Sequence, residues 1–214
     1  LTSVADDDQL LIYDTSAKTT KKVSAEVLLS RGGAGEISTN TALGTDALAT
    51  NTTGANNTAI GYQTLDVNTV GDKNVAVGAS ALGANTTGAN NVAVGYQSQT
   101  TATVGTGNTS VGSSSLDALT TGTNNTAIGF GALGAATTAV NNVAVGKDAL
   151  LVLTVGTGNT AVGNTAMDAL TTGTNNTGIG LDALGAATTG IDNTAVGMNA
   201  LLVMTVGTGN TAVG

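Results

Sequence analysis

The residues best suited to chemistry are few in this chain, and the usual reactive types are missing. The sequence contains no His and no Cys, which removes the commonest general base and metal ligand as well as thiolates and disulfides. No Ser has a candidate base nearby in sequence, and no two carboxylates form a recognisable acid–base pair. We therefore predict that the chain is not an enzyme and that it holds no cofactor.

Two Gly-containing motifs resemble ligand-binding sequences. The run GFGALG at residues 129–134 fits the dinucleotide pattern G-x-G-x-x-G. Equivalent positions elsewhere are GASALG and GLDALG, so we interpret Gly131 as chance variation. The repeated GTGN is similar to calcium-binding solenoid repeats, but these need Asp in one fixed position, and Asp here occupies several. We expect neither a phosphate site nor a metal site.

Three aromatic residues give the sharpest indication of an interaction site. Tyr62, Tyr96 and Phe130 are evenly spaced in the sequence, with Ala79 and Ser113 midway between them. If each of these five positions begins a new coil of the chain, the three rings form a row about 10 Å apart. Such a row can pack at a seam between chains or bind a ligand or receptor such as a sugar. Both interpretations remain open.

The elements that must position these residues come from a strict repeat. Copies of NNTAIG, KNVAVG, GNTSVG and related runs contain an Asn at positions 40, 57, 74, 91, 108, 125, 142, 159, 176, 193 and 210. This seventeen-residue period has no insertion or deletion, and a fixed period of this length is typical of a solenoid. VGTGNT also recurs in every third unit, at 104, 155 and 206. We interpret this as duplication of three coils, because a turn with three such sides would enclose more space than Val and Leu fill.

Residue types within each unit, counted from its Asn as position 0, predict strands and corners. Position +1 is Thr or Val, +2 is small, and +3 is Val or Ile in ten of eleven units, which indicates a short β-strand. Position +4 is always Gly, which indicates a positive φ angle or a close backbone approach. Leu dominates at +8, and a second short strand is predicted to end at the Thr of position −5. Each coil would then contain two strands and two corners.

Stacked coils would place like residues on like. We expect a Leu ladder at +8, a Val/Ile ladder at +3 and an Asn ladder at 0, with each buried apolar side chain contributing about 1.5–3 kcal/mol. Asn suits a corner because it tolerates left-handed backbone angles, and stacked amides can bond along the column. The adjacent residues at −5 and −4 point to opposite faces, which favours a structural Thr ladder over an ice-binding face.

Charge and hydropathy restrict the partners. The net charge is −8, which argues against nucleic acid because phosphate binding needs clustered Lys and Arg. No apolar run reaches the roughly eighteen residues of a membrane span, and no signal peptide is visible, so we predict no membrane insertion. The chain begins at Leu1 and stops at Gly214 within a repeat unit. We therefore expect a fragment of a longer protein.

The first 36 residues differ from the rest. QLLIYD and TTKKVS predict two strands joined by the turn TSAK, and SAEVLLSRGG predicts a short helix with Ser24 as its N-cap and Gly32 as its end. We predict an attachment module at residues 1–36, formed by a hairpin and a short helix, and a β-solenoid shaft at residues 37–214.

The runs NNTAIG…AL and NNVAVG…AL resemble the head repeats of trimeric autotransporter adhesins and the similar repeats of bacteriophage tail fibres and other virion appendages. The resemblance covers about residues 40–214. It implies an all-β parallel β-solenoid (β-roll) of eleven coils packed as a homotrimer along a fibre axis. The N-terminal LLIYDTSAKTTKKVS resembles segments near the start of phage fibre proteins, which favours a virion appendage.

The expected function is therefore structural: the rigid shaft of a phage tail fibre or similar appendage involved in host attachment. Residues 1–36 would bind other virion proteins, and a host receptor would be contacted through parts outside this fragment. Two alternatives remain open. One is a bacterial trimeric adhesin at the cell surface, and the other is a single-chain solenoid that binds ice or a small ligand.

Overall fold

The computed structural model describes residues 9–14, 19–24 and 39–214. Strands β1 (Gln9–Asp14) and β2 (Thr19–Ser24) pair antiparallel, as predicted from QLLIYD and TTKKVS. The helix predicted over residues 24–33 lies outside the described residues, except for Ser24, which ends β2. The extent and role of an attachment module at residues 1–36 therefore stay predictions.

Eleven three-residue strands form one parallel sheet along the repeat region, in chain order without a crossover. Each strand pairs with the strand of the next repeat unit, as Thr41 does with Thr58. They are β3 (Thr41–Leu43), β4 (Thr58–Ile60), β5 (Val75–Val77), β6 (Val92–Val94), β7 (Thr109–Val111), β8 (Thr126–Ile128), β9 (Val143–Val145), β10 (Thr160–Val162), β11 (Thr177–Ile179), β12 (Thr194–Val196) and β13 (Thr211–Val213). The chain is a parallel β-solenoid with one repeat unit per turn, so a three-sided turn made of three units is excluded.

The second strand predicted in each coil is wrong, because turns and bends occupy that side. Residues at +6 and +8 are both left-handed, for example Gln63 (φ 49°) and Leu65 (φ 50°), and such residues cannot continue an extended strand. Neighbouring coils are still bonded there, with Leu48 N donating to Thr64 O at 3.0 Å. The backbone thus keeps its coil-to-coil hydrogen bonds without a second sheet.

The interior is narrow and is filled by Ala at +2 and +7 and by Leu at +8, with Leu119, Leu153 and Leu170 added at +11. The Leu ladder is confirmed, since residues such as Leu65 and Leu133 are fully buried. The Val/Ile column at +3, expected in the core, is instead at the surface, with Ile60 37% and Ile128 40% exposed. Side chains alternate along a strand, so a buried residue at +2 turns those at +1 and +3 outward.

The predicted Asn ladder is present, and its members are buried from Asn40 to Asn193. The side-chain oxygen of each accepts from the backbone N–H of the next Asn, as Asn142 Oδ1 does from Asn159 N at 2.9 Å. Its Nδ2 donates to a carbonyl 14 residues on, as Asn142 does to Gly156 O at 2.9 Å. From Asn108 onward the amides also bond to each other, for example Asn159 Nδ2 to Asn142 Oδ1 at 3.0 Å.

The left-handed residue of this corner is not the ladder Asn, contrary to expectation. It is the residue before, such as Asn141 with φ 58°, because the turn is completed before the ladder Asn leads into the strand. The Thr ladder at −5 is confirmed: nine hydroxyls, from Thr52 to Thr188, each donate to the carbonyl of the Thr in the next coil at 2.7–3.3 Å. These hydroxyl protons are therefore used within the solenoid.

The Gly corners are close-packed between coils. Gly129 at +4 has φ 136°, and an added Cβ would lie 2.4 Å from the carbonyl oxygen of Gly146. Both reasons inferred for this column therefore apply. A Cβ on Gly173, at −3, would lie 2.5 Å from Leu170 Cδ1 and 2.5 Å from Gly190 O. Two neighbouring coils cannot separate to make room without losing their hydrogen bonds.

Position −3 tolerates a side chain only where the residue three positions earlier is small. Ala139 is the natural example, since Ala136 precedes it and both are buried. Gly190 follows Ala187, and a Cβ there would lie 3.6 Å from Gly207 O. The sequence exception at residue 139 thus has a local steric explanation.

A polar layer separates two clusters of buried apolar residues, one running from Ala42 to Ala102 and the other from Leu116 to Ala200. Gln99 replaces Leu in the +8 column there, fully buried. Its Oε1 accepts from Ser110 Oγ at 3.4 Å, and Ser110 Oγ also lies 2.6 Å from Ser98 Oγ. The apolar column is therefore broken by side chains that need hydrogen bonds.

Two buried polar atoms of this region have no hydrogen-bond partner in the described part of the chain. One is Gln99 Nε2. The other is Asn85 Oδ1, at the end of a second amide column in which Asn85 Nδ2 bonds Asn68 Oδ1 at 2.7 Å. That column stops because Ala102 follows it. Unpaired buried groups of this kind cost about 1–3 kcal/mol each, so we identify the layer as the weakest part of the core.

Gln99→Leu is expected to stabilise the protein by about 1–3 kcal/mol, because it removes an unpaired donor and restores the Leu column. Urea unfolding followed by circular dichroism would measure the midpoint. The matched reverse change, Leu133→Gln, should destabilise by at least about 2 kcal/mol. A lower midpoint for Gln99→Leu would show that the polar layer contributes to stability.

Gly173→Ala is expected to destabilise by about 1–3 kcal/mol, because the new methyl group overlaps Leu170 and the carbonyl of the next coil. Gly190→Ala should destabilise less than Gly173→Ala in the same urea titration, since the nearest backbone atom is 3.6 Å from the new atom and the clash is confined to the Asn193 amide, 2.8 Å away. Equal losses in the two variants would contradict the steric explanation of position −3.

Candidate functional site

The sequence-predicted site residues lie in one exposed row. Tyr62, Tyr96 and Phe130 are 53%, 58% and 55% exposed, respectively. Backbone hydrogen bonds hold this column in register, with Ser80 N donating to Tyr62 O at 2.9 Å and Ser114 N to Tyr96 O at 3.0 Å. The rings therefore project from every second coil, about 10 Å apart along the solenoid.

Each ring is held at a corner between the strand and the turns. Position +5 lies between the Gly at +4 and a left-handed residue at +6, as Tyr96 lies between Gly95 (φ 141°) and Gln97 (φ 52°). Since neither neighbour has the backbone angles of a strand, the aromatic residue lies outside the sheet, just beyond the carboxyl end of its strand. The same corner explains Gly131 (φ 64°), which occupies a left-handed +6 position and begins no helix.

The row lies in a stretch of the +5 and +6 columns that contains no charged residue. Ala79 and Ser113 stand between the rings, so the floor of each gap is small. Columns +5 and +6 contain no charged residue between Asp46 and Lys147. Lys147 forms an ion pair with Asp148, and this pair marks the end of the uncharged stretch. The chemistry on offer is thus aromatic faces, hydroxyls and amides without net charge.

A second surface, the outward +3 column, differs from the aromatic row in being uniform. It is Val or Ile in every strand but β3, where Leu43 stands. Members along its whole length, such as Ile60, Val111 and Ile179, are exposed in the single chain. Sequence analysis placed this column in the core. The small residue at +2 was the available signal that +1 and +3 would face outward.

Three carboxylates at position +9 have perturbed ionisation. Burial raises the pKa of Asp66, Asp117 and Asp168 above the ordinary Asp value. Repulsion from Asp182 further raises the pKa of Asp168. These residues occur in every third coil, so no two of them lie in neighbouring coils.

Neither a metal site nor a membrane span is found in the described residues. Within 9–14, 19–24 and 39–214, no three acidic, His or Cys side chains come close enough together to hold a metal ion. The same ranges contain no helix that is long and apolar enough to cross a membrane. Comparisons with protein-family models, curated proteins and solved structures found no match. Function therefore has to be argued from the surfaces of the solenoid.

Acid is expected to lower the cost of keeping the half-buried carboxylates in the folded chain. Because the pKa of Asp117 is higher in the folded chain than its ordinary value of 3.8, the folded state binds more protons between those two pKa values. The contribution of Asp117 to stability then falls as pH rises through that window. Asp117→Asn should flatten the pH dependence of the urea midpoint between neutral pH and pH 4. An unchanged slope would contradict the assignment.

Proposed function

We propose that this chain is a structural protein, the rigid shaft of a phage tail fibre or similar virion appendage that takes part in host attachment. The observation that carries the proposal is the unbroken hydrogen bonding between successive coils. The strand ladder, the buried Asn column and the Thr column each connect one coil to the next from Asn40 to Asn210. A stack joined on all its sides resists bending.

The dimensions suit a spacer. Eleven strands spaced about 4.8 Å apart make a rod of roughly 50 Å. The described residues do not assemble a reactive group of side chains, and the strand, Asn and Thr columns repeat their coil-to-coil hydrogen bonds along the solenoid. Such a rod holds whatever it carries at a fixed distance and orientation.

The uniform +3 column supports assembly of several copies side by side. A soluble monomer rarely exposes a contiguous apolar patch of more than a few hundred square ångströms, yet this column runs through all eleven strands. A second copy in the same register presents Val and Ile at the same heights and covers them. Together with the family resemblance of the repeats, this favours a homotrimer in which the +3 columns form the seam.

The other assignments follow from the shaft. Residues 1–36 would attach it to other virion proteins, and the receptor of the host cell would be contacted mainly through parts outside this chain. The shaft would belong to an extracellular virion appendage, without nucleic acid, membrane insertion or a cofactor. A bacterial surface adhesin would use the same rod. An ice-binding role is less favoured, because the Thr52 to Thr188 hydroxyls donate within the solenoid.

Sedimentation should give an elongated particle of about three chain masses. Three Lys substitutions in the seam, at Ile60, Ile128 and Ile179, are expected to reduce it to a monomer, because each would bury a charge between copies. The matched control places Lys at Thr53, Thr121 and Thr172, in the exposed −4 column, and should leave the mass unchanged. A compact wild-type monomer would contradict the trimeric shaft.

A further inference from the structure

We propose that the row Tyr62–Tyr96–Phe130 binds a linear, neutral, β-1,4-linked polysaccharide, whose alternate sugar rings stack on successive aromatic rings. The inference rests on the proposed function only in requiring that the row stay accessible in the assembled shaft. It adds a ligand site to a region otherwise given to spacing.

The row differs from a seam between copies because its residue types are not the same in every coil. Parallel copies in register meet coil against coil, so a seam along the shaft needs the same chemistry in every coil. The +3 column meets that requirement. The +5 column does not, because beyond Phe130 it continues as Lys147, Asn164, Leu181 and Met198. The aromatic stretch is a local feature of the first half of the shaft, as a ligand site would be.

Spacing distinguishes a glycan from a peptide bound as an extended β-strand. Alternate side chains of an extended peptide recur at about 6.6–7 Å, which is too short to meet rings that recur every second coil, about 10 Å apart. In an extended β-1,4-linked glycan, alternate sugars present the same face to one side, at a repeat close to that of two coils. The small floor at Ala79 and Ser113 leaves room for the intervening sugar.

Charge argues against nucleic acid and acidic glycans. A single strand of nucleic acid also stacks on aromatic rings, but it needs a basic groove along its backbone. No Lys or Arg occurs in columns +5 and +6 between Asp46 and Lys147. Pyranose rings combine apolar C–H faces with hydroxyl edges. The exposed rings offer the stacking surface, and half-buried Gln63, Gln97 and Ser114 offer neutral hydrogen-bonding groups beside it.

The test is titration of the 214-residue chain with cellohexaose, xylohexaose and chitohexaose, followed by calorimetry and by sedimentation of the same samples. At least one hexasaccharide should bind, and its disaccharide should bind roughly ten-fold or more weakly, because its two sugars are adjacent and only one of them can stack on a ring. No binding of any of the three hexasaccharides would overturn the proposal.

The triple variant Y62A/Y96A/F130A should lose binding by at least about ten-fold while keeping the wild-type mass. The matched control L181A/M198A removes two exposed apolar residues from the same column and should bind like wild type. If the triple variant loses its oligomeric mass, the row is a seam and the ligand site is refuted. If the wild-type protein is a monomer and still binds a hexasaccharide, the proposed trimeric shaft is contradicted while the proposed ligand site is supported.

A second variant leaves every ring in place. Ala79→Lys and Ser113→Lys together fill the gaps with a side chain that the column already accepts at Lys147. Binding should be lost without a change in the urea midpoint. Retained binding in a folded A79K/S113K protein would refute the alternating arrangement, even if the triple aromatic variant failed to fold.

Discussion

The buried Asn column is the interaction on which the rest of this solenoid depends. Each Asn uses its oxygen to accept from the next coil and its nitrogen to donate to that coil, as Asn142 does with Asn159 and Gly156. A buried amide that lost these partners would cost as much as a broken hydrogen-bond network. A single inserted residue would displace the donor of one coil from its acceptor in the adjacent coil. This requirement explains the strict seventeen-residue period of the sequence. The Gly at −3 keeps its own carbonyl, which accepts from the Asn amide, within hydrogen-bonding distance.

The same requirement sets the thickness of the core. Coils that approach closely on both sides of a short strand leave space inside for Ala at +2 and +7 and for one larger side chain at each of +8 and +11. The larger β-branched residues therefore face outward, where they favour the extended backbone and leave an apolar surface. With so thin an interior, one misplaced polar group matters. Gln99 interrupts the Leu column and leaves a donor unpaired, although the strand ladder passes through the same coils intact.

Some columns have the same residue type in every coil and others vary, and the two kinds of column serve different purposes. The Asn, Gly, Leu and Thr columns face the neighbouring coils, so each residue is constrained by two contacts, and the uniform +3 column has the regularity that a seam requires. The aromatic side chains at position +5 are more than half exposed, so they are less constrained by the interior and the neighbouring coils. The composition of this column is therefore free to change along the rod. Specific recognition by a repetitive solenoid is expected at such positions, which is where Tyr62, Tyr96 and Phe130 lie.

The sequence by itself determined the period, the parallel solenoid, the first strand of each coil, the Asn, Leu and Thr ladders, and the alignment of the three aromatic residues. All of these follow from residues that recur at one spacing, since stacking places identical residues in contact. The tertiary structure alone decided which side of each strand faces inward, that turns replace the second strand, and that the left-handed residue precedes the ladder Asn. Two further features, the unpaired atoms of Gln99 and Asn85, also appear only there. Period-two alternation is symmetric between the two faces of a strand, and left-handed angles at Gln63 or Leu65 are set by closure of the coil around its core rather than by the preference of either residue.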